Sequence, residues 1–192
     1  LLLIQNEAGY KNLCELLSRA YLTNSYKDRA EVRFEWFAEF AGGLLCLSGA
    51  STGEVGQCLL TGSEQSMALA RQAAQRYAQV FGDRFYLEVQ RVGSADDERL
   101  LRQTVALALQ TKLVLVATHP VQFLKPEDYR SHEARVCIAQ GDTLANPKRQ
   151  RLFTEEQYLK SSQEMAELFH DLPVALENTL AIAQRCNFTM NL

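Results

Sequence analysis

The chain has 192 residues, with 20 Lys and Arg against 23 Asp and Glu for a formal net charge of −3, and 47% of it is hydrophobic. That length suits one core, or one domain with a piece of another, and it excludes a two-enzyme fusion. The composition excludes a disordered chain, and the chain is not basic.

Residues 1–4 are an apolar, strand-like run. The chain begins there without an initiator Met, a basic n-region or a small-residue cleavage site, so no signal peptide is expected and the sequence reads as entering within a larger polypeptide. Asn6 suits the N-cap of a helix bearing Tyr10, Leu13, Leu16, Leu17, Ala20 and Tyr21 at helical spacing. A polar linker at 23–31 leads to a short helical turn at 34–40, which Gly42 and Gly43 end. Residues 44–47, Leu-Leu-Cys-Leu, read as a buried strand closed by Ser48 and Gly49. Helices are expected at 54–60 and 65–81, the second carrying Met67, Ala70, Ala74, Tyr77 and Phe81 on one face.

A strand at 85–90 follows, then a helix at 96–109 capped near Ser94 or Asp96, then the apolar strand 113–117 of the parallel-sheet type. Pro126 suits the first turn of a helix to 139, with Gly141 as its stop. Helices are read at 154–159, 162–169 and 173–186. Strands alternating with helices predict an α/β fold with a parallel, buried sheet, open or part of a barrel, and a helical C-terminus that covers it or leads away. The longest uncharged stretches, 41–53 and 113–124, are too short for the ~20 apolar residues of a membrane span. The five cysteines, at 14, 46, 58, 137 and 186, are odd in number and form no C-x-x-C pair, so they are expected to be reduced and to act as small buried hydrophobes, with Cys14, Cys46 and Cys137 among apolar neighbours.

Reactive groups of such sheets gather where parallel strands end, which directs attention to 48–52, 88–91 and 118–122. Ser48 lacks the G-x-S-x-G setting of a hydrolase nucleophile and reads as a turn serine. His119 directly follows an apolar strand and could face a pocket, but no second His or carboxylate stands beside it at ligand spacing. His132-Glu133 begins like a zinc-protease helix, yet Val136 occupies the place of the second His, so that reading fails. His170 beside Asp171 reads as a helix-end residue. Gly42, Gly43, Gly53 and Gly56 match neither a phosphate-binding loop nor a dinucleotide fingerprint. Lys148, Arg149 and Arg151 are the one basic patch. Without aromatic interleaving they read as a solvated loop, with phosphate contact the weaker alternative.

Several blocks are familiar in order. Residues 4–13 (IQNEAGYKNL), 43–55 (GLLCLSGASTGEV), 85–91 (FYLEVQR), Val116-Ala117-Thr118, Tyr158-Leu159-Lys160-Ser161 and 178–187 resemble the polymerase-and-histidinol-phosphatase (PHP) domain of bacterial DNA polymerase III alpha subunits. The resemblance covers nearly the whole chain. It implies a distorted (β/α) barrel at 1–150 and a helical extension toward the polymerase core at 151–192. It also implies a parent polypeptide that is a DNA-directed DNA polymerase of the cytoplasm.

Family members with an intact metal site carry a Cys after the Ser-Gly of the second block and an Asp-x-His after the Ala-Thr-Asn of a later one. Here those places read Ala50, Pro120 and Gln122, with His119 where the Asn stands. The family's His-x-His motif would lie upstream of Leu1 and its polymerase aspartates downstream. The resemblance therefore implies a segment without catalytic residues, bound metal or cofactor, whose partners are the rest of the alpha subunit and the proofreading exonuclease (epsilon) subunit. DNA would be met only through the parent, and no membrane is involved. The alternative is a metal-dependent phosphoesterase or 3′–5′ exonuclease with remodelled ligands.

Overall fold

Two apolar clusters on opposite faces of a four-stranded sheet organise the computed structural model, which describes residues 1–27 and 29–190. Strand β1 (Leu2–Ile4) leads into α1 (Glu7–Thr23), whose first turn is capped by the Asn6 side chain accepting from the Gly9 amide at 3.1 Å. Gly9 lies so close to the turn before β4 that a Cβ there would sit 1.9 Å from the Gly43 carbonyl oxygen, so only glycine lets α1 lie against it. The 23–31 linker contains a small antiparallel pair, β2 (Ser25–Tyr26) with β3 (Arg29–Ala30). A 3-10 turn and α2 (Phe37–Phe40) then bring the chain to β4 (Leu44–Leu47).

After β4 come α3 (Glu54–Leu60), α4 (Ser66–Phe81), β5 (Phe85–Val89), α5 (Asp97–Thr111), β6 (Val114–Ala117), α6 (Tyr129–Gln140), α7 (Ser162–Leu168) and α8 (Pro173–Arg185). The strand order is β1-β4-β5-β6. β4, β5 and β6 run parallel, as the alternation of strand and helix predicts. β1 departs from it by pairing antiparallel to β4, with Leu3 opposite Leu45. A single helix between two strands returns the chain to a parallel start, whereas here α1, the β2–β3 pair and α2 together add one further reversal. Among the described residues the sheet is open and closes into no barrel.

Side chains alternate across β4, so Leu44 and Cys46 join Leu16, Val55, Leu59, Ala70, Ala74, Phe81, Phe85, Leu87 and Leu107 on one face. On the other, Leu45, Leu47, Tyr86 and Val116 meet Ile182 of α8, while Val89 and Ala117, which share the first face with Leu87 and Leu115, meet Phe169 and Ala175. The C-terminal helices thus cover the second face and pack across residue 150 onto the strands before it. They also seal the open edge of β6. Because the Thr118 amide bonds toward β5, alternate residues place the carbonyls of Leu115 and Ala117 on the unpaired side, where Asn178 Nδ2 and Thr179 Oγ1 each donate to them at 2.8 Å.

Two sequence expectations are corrected. Residues 154–159 are not helical: Tyr158 bridges Phe123 in parallel, and the Leu159 amide donates to the Phe123 carbonyl at 3.1 Å, so the backbone bonds outward rather than within the segment. Cys14 is exposed, one helical step off the face that buries Leu13 and Leu16, while Cys46 and Cys137 are buried. No described helix is long and apolar enough to cross a membrane.

Candidate functional site

The carboxyl ends of β4, β5 and β6 lie side by side. β4 ends in Ser48 and Gly49, and Gly49 takes a left-handed φ of 82° that glycine adopts without strain. Ala50 follows with φ 44°, a backbone conformation rare for alanine, and is buried as the first residue of a 3-10 helix, Ala50–Thr52. β5 carries Glu88, 5% exposed inside an otherwise apolar strand. A buried carboxyl group requires donors, and it has them. Its Oε2 accepts from the Gly49 amide at 2.9 Å; its Oε1 accepts from Gln90 Nε2 at 2.9 Å and from the Thr118 hydroxyl. Ser48 Oγ in turn accepts from the Glu88 amide at 2.8 Å, which makes it a brace for the strand end instead of a free nucleophile.

Beyond Thr118 the chain runs through His119, Pro120 and Gln122, all engaged by residues 154–157. His119 Nε2 lies 2.8 Å from the Glu156 carbonyl oxygen, so Nε2–H donates and Nδ1 holds the lone pair, buried and unpartnered. Burial chiefly holds the imidazole below its usual pKa; the Glu156 carbonyl opposes this and Lys160 adds to it. Gln157 Nε2 donates to the Pro120 carbonyl at 3.1 Å, and the Gln122 amide donates to the Gln157 carbonyl at 2.8 Å. Pro120, Gln122, Gln90, Ser51 and Arg151 border a cleft of ≈ 440 Å³ over this corner. Among the described residues no three His, Cys, Asp or Glu side chains come together in a way that could hold a metal ion.

Residues 1–92 match the family model described as the PHP domain. Over 191 residues the chain is 47% identical to the DNA polymerase III subunit alpha of Pseudomonas aeruginosa, covering 100% of this chain and 16% of that protein. It is 48% identical over 198 residues to that of Neisseria meningitidis serogroup A, covering 100% of this chain and 17% of the relative. It is 42% identical over 190 residues to that of Escherichia coli, covering 99% and 16%. The chain matches DNA polymerase III alpha subunits along its whole length and the PHP domain over residues 1–92. It spans about one sixth of the length of the relatives it matches.

The structure separates the basic patch of this PHP segment. Arg149 forms an ion pair with the buried Glu133 of α6, Arg151 borders the cleft, and Lys148 is exposed. His132 is buried between Phe123 and Phe153, its Nδ1 taking a 3.2 Å contact from Arg135; burial first, and Arg135 second, lower its pKa. His170 is exposed, with Nδ1 2.9 Å from the Glu167 carbonyl oxygen of its own helix end.

Arg91, 13% exposed, ties the end of β5 to the C-terminal helices through Glu98, Asp171 and the Leu168 carbonyl. Its guanidinium holds Asp171 down to about 2. Gln157 escaped the sequence reading, and Glu88 lay within the stretch 88–91 to which that reading pointed without being singled out. Glu88 had a usable signal, a lone charge in an apolar strand, whereas Gln157 had none.

Proposed function

We propose that this PHP segment is a noncatalytic accessory part of a replicative DNA polymerase, supporting the polymerase core in the cytoplasm and offering a surface on which the proofreading exonuclease subunit docks. The parent's activity, DNA-directed DNA polymerisation, follows from the relatives, and its DNA contacts belong to the parent rather than to this segment. The open sheet is read as part of a distorted (β/α) barrel.

The observation that carries the noncatalytic reading is the chemistry of the cleft corner. Ala50, Pro120 and Gln122 offer no thiolate, carboxylate or imidazole to a divalent ion. Glu88, the buried carboxyl group there, has both oxygens occupied by neutral protein donors. A metal cluster would have to displace those donors and still lack ligands, so the residues present do not fit one. The competing reading, a phosphoesterase with remodelled ligands, is favoured by the unpartnered His119 Nδ1 alone. One imidazole beside a saturated carboxyl group is too little to bind and activate water at a multinuclear site.

Titration of the alpha subunit carrying this segment with the exonuclease subunit tests the docking role. Saturable one-to-one binding, lost when residues 1–192 are deleted and undisturbed by Glu88→Gln, is the expected result. Binding unchanged by the deletion would contradict it.

A further inference from the structure

Residues 153–159 form one wall of the cleft through Phe153, Thr154 and Gln157 and are fastened largely by polar bonds. Thr154 hydroxyl donates to the Val92 carbonyl, the Glu156 carbonyl accepts from His119, and the Leu159 amide reaches Phe123. Gln157 is the centre of this fastening. It is 6% exposed although polar, and its Oε1 accepts from the Thr154 amide at 3.0 Å while its Nε2 donates to Pro120. Its own carbonyl accepts from Gln122.

Apolar anchoring is confined to Phe153, edge-on to His132, and the half-buried Tyr158, while Leu159 is 58% exposed. Beyond the segment, Ser161 and Glu164 form the capping box of α7 and Tyr158 hydroxyl donates to Glu164 at 2.7 Å, which fixes one end. At the other end lie the exposed turns of 141–151, anchored at Arg149. Segments held by solvent-accessible polar bonds with few buried apolar contacts open at lower free energy than the core they cover.

We propose that 153–159 is a strap along one wall of the cleft, that Gln157 is its latch, and that the strap opens as one unit while the sheet stays folded. Opening releases the Gln122 and Leu159 amides and widens the cleft bordered by Gln90, Pro120 and Gln122. The strap thereby sets how often that cleft widens to solvent or a ligand. This device does not depend on the docking reading, because it rests on contacts within the chain alone.

Amide hydrogen exchange on the whole chain tests it. In the unsubstituted protein the Gln122 and Leu159 amides should exchange at least tenfold faster than the β5 amides, with a dependence on denaturant much weaker than theirs. Gln157→Ala removes two neutral hydrogen bonds, so exchange at both amides should rise about 10- to 30-fold while β4, β5 and β6 amides keep their rates. Glu155→Ala, an exposed neighbour, should leave all of them unchanged. The proposal is overturned if Gln122 and Leu159 exchange only with the β5 amides, or if Gln157→Ala speeds neither. Should Gln157→Ala fail to fold, the comparison within the unsubstituted protein and Thr154→Val, which removes the bond to Val92, decide the question in the same way.

Discussion

The cleft corner and the sealed edge of β6 solve one physical problem with opposite materials. At the edge, backbone carbonyls that a sheet leaves unpaired are satisfied by side chains, Asn178 and Thr179, borne by a helix that also buries Ile182. At the corner, a buried side chain, Glu88, is satisfied partly by backbone, Gly49, and partly by Gln90 and Thr118. The first arrangement protects an edge that would otherwise recruit another strand. The second holds a buried carboxyl group through donors that are, among the described residues, all neutral.

Breaking the corner should cost most. Glu88→Ala orphans the Gly49 amide and two side chains at a buried position, and we expect a loss of about 3 kcal/mol, read from urea unfolding. Glu88→Gln keeps one acceptor oxygen and should lose about half of that. Next comes Arg91→Ala, which severs the tie from β5 to the C-terminal helices. Because Glu98 and Asp171 are each about half exposed, about 2 kcal/mol is the expected loss, well below the cost of a fully buried pair. At the sealed edge, Asn178→Ala should cost about 1 kcal/mol and raise the tendency to self-associate, measurable by sedimentation. If Asn178→Ala proved more costly than Glu88→Ala, the contrast drawn between the two regions would fail.

The smallest effect expected is on pH. His119 and His132 both have folded pKa values below the ordinary 6.5, so the unfolded chain takes up protons first as pH falls through that value. Their contribution to stability is therefore complete above about pH 7 and declines below it. Asp171, held near 2 by Arg91, has a folded value below its ordinary 3.8, so its contribution is present above about pH 4 and is lost as pH falls toward 2. Melting temperatures between pH 8 and pH 3 should fall in these two stages. His119→Gln should flatten the upper one.

Much of this architecture could be read from residue patterns, and the parts that could not share a cause. Strands at 44–47, 85–89 and 114–117 and the helices between them declare themselves by apolar runs and 3.6-residue periodicity, and Asn6 by its place before an amphipathic run. The location of the cleft followed from the rule that parallel strands present their chemistry at their carboxyl ends, which brings 48–50, 88–90 and 118–122 together. The direction of β1, the β2–β3 pair and the extended course of 154–159 were missed, because each is decided by a distant partner: Leu45 for Leu3, Phe123 for Tyr158. Gln157 belongs with these, since its value lies in reaching Pro120, 37 positions back in the chain.

Calorimetric titration of Mn²⁺ into the alpha subunit's PHP domain, beside the variant Ala50→Cys, Pro120→Asp, Gln122→His, tests most directly whether the cleft corner holds a metal. No saturable Mn²⁺ binding is expected at this corner in the unsubstituted protein, and a gain of binding is expected in the triple variant. Saturable binding by the unsubstituted protein, weakened by Glu88→Gln and by His119→Ala and accompanied by hydrolysis of a phosphoester, would contradict the noncatalytic reading.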